Sequence, residues 1–306
     1  MTTTVAVPRP SAFSRAARVV LFAVGAIVVY AIVLWLALQQ SWLTGSHELD
    51  SGHAFGVAIQ QTINALSIGA IYALIALGYT MVYGIIELIN FAHGDVFMVS
   101  GFLSIAVTAG LFSQVPGSEI TDVPFLLFVL AVALILVMPA SGLLNMTIER
   151  VFYRTFRGGN RLAPLITAVG VSYILQNLAL VLVGSGDRAA PQVFPLTWNI
   201  PVGDAKISVL SIFIFILAVS LMLALNLFVT RTRLGRAMRA TAQDQQAASL
   251  MGVDLNQTIA LTFLLGGALA GAAGVVWGLR FGFVRQDLGF NAGLKAFTSA
   301  VLGGIG

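Results

Sequence analysis

The chain contains no cysteine among its 306 residues. Disulfides, thiolate nucleophiles and cysteine-ligated metals are therefore excluded. Charge is also scarce, at 9% of residues, where a soluble domain carries about 25%. The three histidines (His47, His53, His93) stand in no HExxH spacing, so no metal site is expected. No GxxxxGK[ST] phosphate loop occurs, which leaves the chain without a nucleotide site of its own. No nucleophile, base and orienting group are arranged as an enzyme needs, so the chain is not read as a catalyst.

What is abundant is hydrocarbon: 58% of the residues are hydrophobic. Apolar runs of about 20 residues recur, each long enough to cross about 30 Å of bilayer as a helix. They are continuous and lack the two-residue alternation of a barrel. The expected fold is an all-α polytopic membrane helix bundle of about eight spans, forming a single transmembrane domain over residues 1–306. The spans are placed at 19–38, 55–83, 96–112, 124–148, 163–183, 207–229, 259–279 and 291–306. A broken stretch, Gly84 to Asp95, separates the second from the third. The basic segment Glu149 to Arg161 reads as a loop, as does Gly184 to Lys206 with Pro191, Pro195 and Pro201. The last apolar segment ends at LGGIG without a polar tail, so the native chain is expected to continue through this span.

The net charge of +4 and pI near 9.8 do not require nucleic acid, because Lys and Arg collect in cytoplasmic loops. With the N-terminus inside, one side holds Arg9, Arg15, Arg18, Arg150, Arg154, Arg157, Arg161, Arg231, Arg233, Arg236 and Arg239. The other holds Arg188, Lys206, Arg280 and Arg285. The bias is eleven to four, and it agrees with alternating topology at every loop.

One polar segment, Arg231 to Thr258, interrupts the hydrocarbon. Four arginines open it, and Ala237 to Met251 contains neither Pro nor Gly. Gly252 suits a helix C′ position. Asp254 with Gln257 resembles a capping box for the following span. The segment reads as a short helix outside the bilayer, with small residues (Ala240, Ala242, Ala247, Ala248, Ser249) that let a partner approach. Either it is a surface on which an external motor pushes, or it is a solvated loop helix. Transport driven by an ion gradient is the rival, and it needs ionisable groups within the spans; the candidates are Glu87, His93, Asp95 and Lys295.

QAASLMG (Gln246 to Gly252) resembles the EAA-xxx-G coupling segment of ABC importer permeases, with Gln in place of the usual Glu. Three segments resemble the LivH-type branched-chain amino acid permeases. They are GRAMRATAQDQQAASLMGVDLNQTIALTFLLGGALAGAAGVV, NALSIGAIYALIALGYTMVYGIIELINFAHGD (Asn64 to Asp95) and the final AFTSAVLGGIG. The resemblance covers most of 55–306. It implies an ABC importer subunit without catalysis of its own, in the bacterial inner (cytoplasmic) membrane. Its implied partners are a second permease subunit (LivM-like, or a second copy in a homodimer), two cytoplasmic ATPases that hold the ATP and Mg, and an external substrate-binding protein. The cargo implied is a branched-chain amino acid, with urea, short amides or other amino acids as the near alternative. Arg236, Arg239, Asp244, Gln246, Ala247, Ala248 and Gly252 would then form the ATPase-coupling segment.

Polar residues within spans mark a possible pathway: Asn64, Asn90, His93, Asp95, Ser172, Gln176 and Asn177. In NFAHGD, Gly94 permits a sharp break, and Asn90 or Asp95 can cap a helix. Interhelical hydrogen bonding and a structural turn are the plainer readings of these positions. A path fed by a binding protein should hold substrate weakly, so no pronounced pocket is expected. Gly267, Gly271, Gly274 and Gly278 fall at i, i+4, i+7 and i+11 on one stripe, where a neighbouring helix can approach closely.

Overall fold

The computed structural model describes residues 29, 30, 32, 36, 51–87, 89–113, 123–156, 162–194, 198–202 and 205–305. Among them, six helices are long and apolar enough to cross a membrane: Ile59–Ile86, Ala92–Phe112, Val123–Phe156, Leu162–Val183, Val209–Arg231 and Leu255–Phe281. The expected first span, 19–38, lies outside the described residues except for helical Val29, Tyr30, Ile32 and Leu36. The helices are α1 (Ser51–Ile86), α2 (Ala92–Phe112), α3 (Val123–Ile148), α4 (Leu162–Val183), α5 (Val209–Arg231), α6 (Arg233–Gln243), α7 (Gln245–Leu250), α8 (Leu255–Phe281) and α9 (Leu288–Leu302).

Cα packing divides the chain into two units. The smaller comprises Met1–Ala65 and Asn199–Ile207. In it, the Lys206 amide donates to Gln60 Oε1 at 2.8 Å. Strand β2 (Asn199–Val202) pairs with β3 (Ala205–Ser208). The larger unit comprises Leu66–Trp198 with Ser208–Gly306. There β1 (Arg188–Ala189) pairs antiparallel with β4 (Phe283–Val284). The expected irregular loop at 184–206 thus contains short strand segments among its described residues.

The larger unit is built around α8, the most buried of the apolar helices. Asp254 starts it, its side chain accepting from the Gln257 amide at 3.1 Å. Gly282 stops it in the left-handed region (φ 72), where a residue without Cβ is unstrained. α8 packs on α3 and α2 through contacts with no room for a side chain. A Cβ on Gly267 would meet Asn145 Cβ and the Ser141 carbonyl at 2.6 Å. One on Gly271 would lie 2.9 Å from Met138 Cα, and one on Gly274 would lie 2.7 Å from the Gly101 nitrogen. Gly278 differs: its nearest neighbour would be Ala190 Cβ at 3.9 Å. Packing at van der Waals distance replaces the missing hydrophobic drive between helices in lipid.

Two boundaries depart from expectation. The helix α1 runs to Ile86 and α2 begins at Ala92, so Gly84, His93, Gly94 and Asp95 of the expected break are helical. The left-handed residue is Glu87 (φ 52), not Gly94. Gly94 is instead where α9 crosses: Gly293 Cα would lie 2.9 Å from a Cβ there. Neither Asn90 nor Asp95 caps α2, whose N-cap is Phe91 without a side-chain bond. At its far end α3 runs on as a π-turn (Glu149–Tyr153) and a 3-10 turn (Arg154–Phe156). The expected loop at 149–161 therefore begins as helix, and 157–161 lie outside the described residues.

Candidate pathway cluster and coupling helices

The polar residues of the bundle gather around the first turn of α2. Asp95 is fully buried. Ser172 Oγ donates to its Oδ2, and Gln176 Nε2 donates to its Oδ1 at 3.1 Å and to Ser172 Oγ at 3.2 Å. Ser172 and Gln176 lie one turn apart on α4, so one helix face presents both donors to one carboxylate. Asn177 turns away and bonds the Tyr173 carbonyl of its own helix at 2.8 Å.

Asn90 belongs to a second network. Tyr153 Oη donates to Asn90 Oδ1 at 2.8 Å, and Asn90 Nδ2 reaches Asn145 Oδ1 at 3.4 Å. Asn145 Nδ2 donates to the Phe263 carbonyl at 2.7 Å. His93 is fully buried, edge-on to Tyr79 with ring centroids 4.8 Å apart. The Ile75 carbonyl is a polar neighbour, but neither ring nitrogen completes a hydrogen bond. The ring fills the space that a Cβ on Gly78 would take. Asn64, half-buried on α1, belongs to the smaller unit. Glu87 is exposed at the break, and exposed Lys295 lies 5.9 Å from the Tyr72 ring centroid.

The depth of this layer follows from α1. Gly78 faces His93, eight residues before the helix ends at Ile86, about 12 Å along the axis. His93, and Asp95 two residues along α2 from it, thus lie about two turns in from the end of α1. Beside them, between α4 and the start of α9, opens a cavity of about 430 Å³. Its walls are apolar (Phe91, Val169, Tyr173, Phe290, Leu294), with Ser172, Gln176, Asp287 and Asn291 as polar points.

The polar insert is two helices, not one. α6 starts at Thr232, whose side chain accepts from the Gly235 amide at 2.9 Å. It ends at Asp244, whose extended backbone (φ −158) breaks the helix. The Asp244 carboxylate then caps α7, accepting from the Gln246 and Ala247 amides at 2.8 and 2.9 Å. Gly252 (φ 87) closes α7, with Val253 N donating to the Ala248 carbonyl at 3.0 Å. Arg239 donates to the Val229 carbonyl at the end of α5. Arg236, Gln246 and Ala247 are exposed, but Ala248 is only 4% exposed and packs inward. The outward tip is apolar: Leu250 is 87% and Met251 85% exposed.

Tyr153, Asn145, Asp287 and Asn291 were not singled out in the sequence. Asn145 carried a signal, as a lone amide deep in an apolar span. Tyr153 carried none, because its segment reads as a basic loop.

The family described as "Branched-chain amino acid transport system / permease component" matches residues 61–306. The high-affinity branched-chain amino acid transport system permease protein BraD of Pseudomonas aeruginosa is 45% identical over 254 residues, covering 81% of this chain and 80% of that protein. LivH of Escherichia coli K12, of the same description, is 43% identical over 252 residues, covering 81% and 79%. The autoinducer 2 import system permease protein LsrC of Klebsiella pneumoniae is 39% identical over 89 residues, 29% of this chain. No solved structure matches. With a buried polar layer among apolar helices and a capped helix pair outside them, the chain belongs to the family of branched-chain amino acid transport system permease components.

Proposed function

We propose that this chain is the membrane-spanning permease subunit of a binding-protein-dependent ABC importer for leucine, isoleucine and valine. The observation that carries the reading is the match of residues 61–306 to the permease family, together with relatives named for branched-chain transport that align over four-fifths of both chains. The names of those relatives favour branched-chain amino acids over urea or amides. The chain performs no catalysis. ATP and Mg bind to two ATPase subunits, an external binding protein delivers the cargo, and a LivM-like permease completes the core. The whole chain acts as one permease domain in the inner membrane, with its N-terminus in the cytoplasm.

Two features support the assignment of roles. The α6–α7 pair presents an exposed apolar tip at Leu250 and Met251 beside exposed Gln246 and Ala247, which suits docking into a groove of an ATPase. The Asp95–Ser172–Gln176 cluster lies beside a cavity within the bundle, which suits the path. His93 and Asn90 support the path by packing and hydrogen bonding, not by facing the cavity.

The test is reconstitution of the tagged chain with its co-purifying partners and binding protein. Leucine uptake should require ATP and the binding protein. Uptake by this polypeptide alone, driven by an ion gradient, would sink the reading in favour of a secondary carrier.

A further inference from the structure

We infer that the cavity between α4 and α9 is a transit site for the positively charged amine of the cargo, and that Asp95 is the group that receives it. The inference rests on the importer reading above and adds a substrate contact to it.

One carboxylate lines this cavity and a second stands behind its wall, and their surroundings differ. Asp287 lines it but is already matched: Arg285 Nε lies 2.5 Å from Oδ1, and Nη2 lies 3.1 Å from Oδ2. Asp95 stands behind the wall formed by Ser172 and Gln176. It is fully buried, and its oxygens accept only neutral donors, a hydroxyl and an amide. Among the described residues, no Lys, Arg or His side chain pairs with it. A carboxylate buried within a bilayer-spanning bundle is costly without a counter-charge. Structure alone does not call for an acid here, because an asparagine could accept from Ser172 at the same place. An ammonium group would supply the missing charge and the remaining hydrogen bonds.

The rest of the cavity fits the rest of such a cargo. Val169, Leu294, Phe290 and Phe91 offer an apolar wall for an aliphatic side chain. About 430 Å³ accommodates a small amino acid with room for water. Gln176 is the movable part, since it is half-buried, lines the cavity and bonds both Asp95 and Ser172. Rotation of its side chain uncovers Oδ1. The arrangement also separates cargo classes. A solute with an ammonium group gains from Asp95, whereas urea or a neutral amide does not.

Because the chain has no cysteine, Asn291→Cys places a single reporter on the cavity wall. The probe is the rate of thiol labelling in the reconstituted full complex, with three small ligands at millimolar concentration. Leucine and 3-methylbutylamine should slow labelling, and 4-methylpentanoate, which keeps the aliphatic chain and lacks the amine, should not. Adding Asp95→Asn should abolish the protection and lower leucine uptake at least about tenfold, as loss of a matched polar partner does. Should Asp95→Asn fail to assemble, Gln176→Glu is the second variant. It adds a competing carboxylate at the wall and should strengthen protection by 3-methylbutylamine. Equal protection by all three ligands, protection by none, or protection unchanged in Asp95→Asn overturns the inference. If the unlabelled complex imports leucine while protection is absent, the inference alone fails; if it imports no leucine, the importer reading fails with it.

Discussion

Gln245, the first residue of α7, donates from its side-chain amide to the main-chain carbonyl of Ile85 at 3.0 Å. Ile85 is next to last in α1, whose final carbonyls have no partner within the helix. A residue of the polar insert therefore satisfies the end of a transmembrane-length helix just before Glu87. Gln245→Ala removes this link and leaves the exposed tip intact. ATPase subunits should still co-purify, while the number of leucine molecules imported per ATP falls several-fold. An unchanged ratio would show that force reaches α1 by another route.

Asp244 holds α7 in place through two amide bonds. A lost N-cap costs about 1 kcal/mol, and a helix of one to two turns has little else to hold it. Asp244→Ala should weaken co-purification of the ATPases, and Asp244→Asn or Asp244→Ser should restore it. Equal retention by all three variants would mean that docking does not require this helix.

The glycine stripe of α8 makes unequal demands. A Cβ on Gly274 would meet backbone and Ser100 Cβ at 2.7 to 2.9 Å, none of which can rotate aside. Gly274→Ala should destabilise by about 1–3 kcal/mol, the range for overpacked cores, and lower the melting temperature of the purified chain in detergent. Gly278→Ala, whose nearest contact is 3.9 Å away, should melt within error of the parent. Similar losses at both positions would mean that glycine serves flexibility there rather than proximity.

Glu87 adopts a left-handed conformation (φ 52), which costs a side-chain-bearing residue about 1–2 kcal/mol. Glu87→Gly should leave stability equal or slightly higher, and Glu87→Val should lower it by more than 1 kcal/mol, roughly the penalty of a branched side chain at positive φ. The two variants, compared by thermal unfolding in detergent, separate backbone geometry from any ionic role of the carboxylate.

The spans were legible because hydrocarbon length is written into composition: 124–148 and 163–183 were placed within a residue of α3 and α4. The polar insert was legible as helical, but its interruption was not. Asp244 sits among good helix formers, and only its side-chain bonds show that it ends one helix and caps the next. The pairing of Ser172 and Gln176 could be read from their spacing. Their common partner Asp95 could not, because nothing local brings α2 to α4. Gly94 was read as a hinge since glycine permits one. The structure uses it for closeness, which sequence does not distinguish from freedom.

The glycine contacts also decide which parts of the bundle can move. Where backbones touch at Gly267, Gly271 and Gly274, and at Gly94 with Gly289 and Gly293, helices cannot slide without first separating. α2, α3, α8 and the start of α9 therefore form one closely packed block, joined by α1 where a Cβ on Gly78 would lie 3.0 Å from the Gly266 carbonyl. α4 has no such contact, its Gly170 meeting nothing within 4 Å, and α5 contains no glycine. The seam between this block and α4 passes through the bonds from Ser172 and Gln176 to Asp95. The α6–α7 pair bonds to both sides, with Arg239 of α6 donating to the Val229 carbonyl of α5 and Gln245 of α7 donating to the Ile85 carbonyl of α1. A push on the pair would thus be a shear across the seam, straining the two side chains, Ser172 and Gln176, that close over the buried acid.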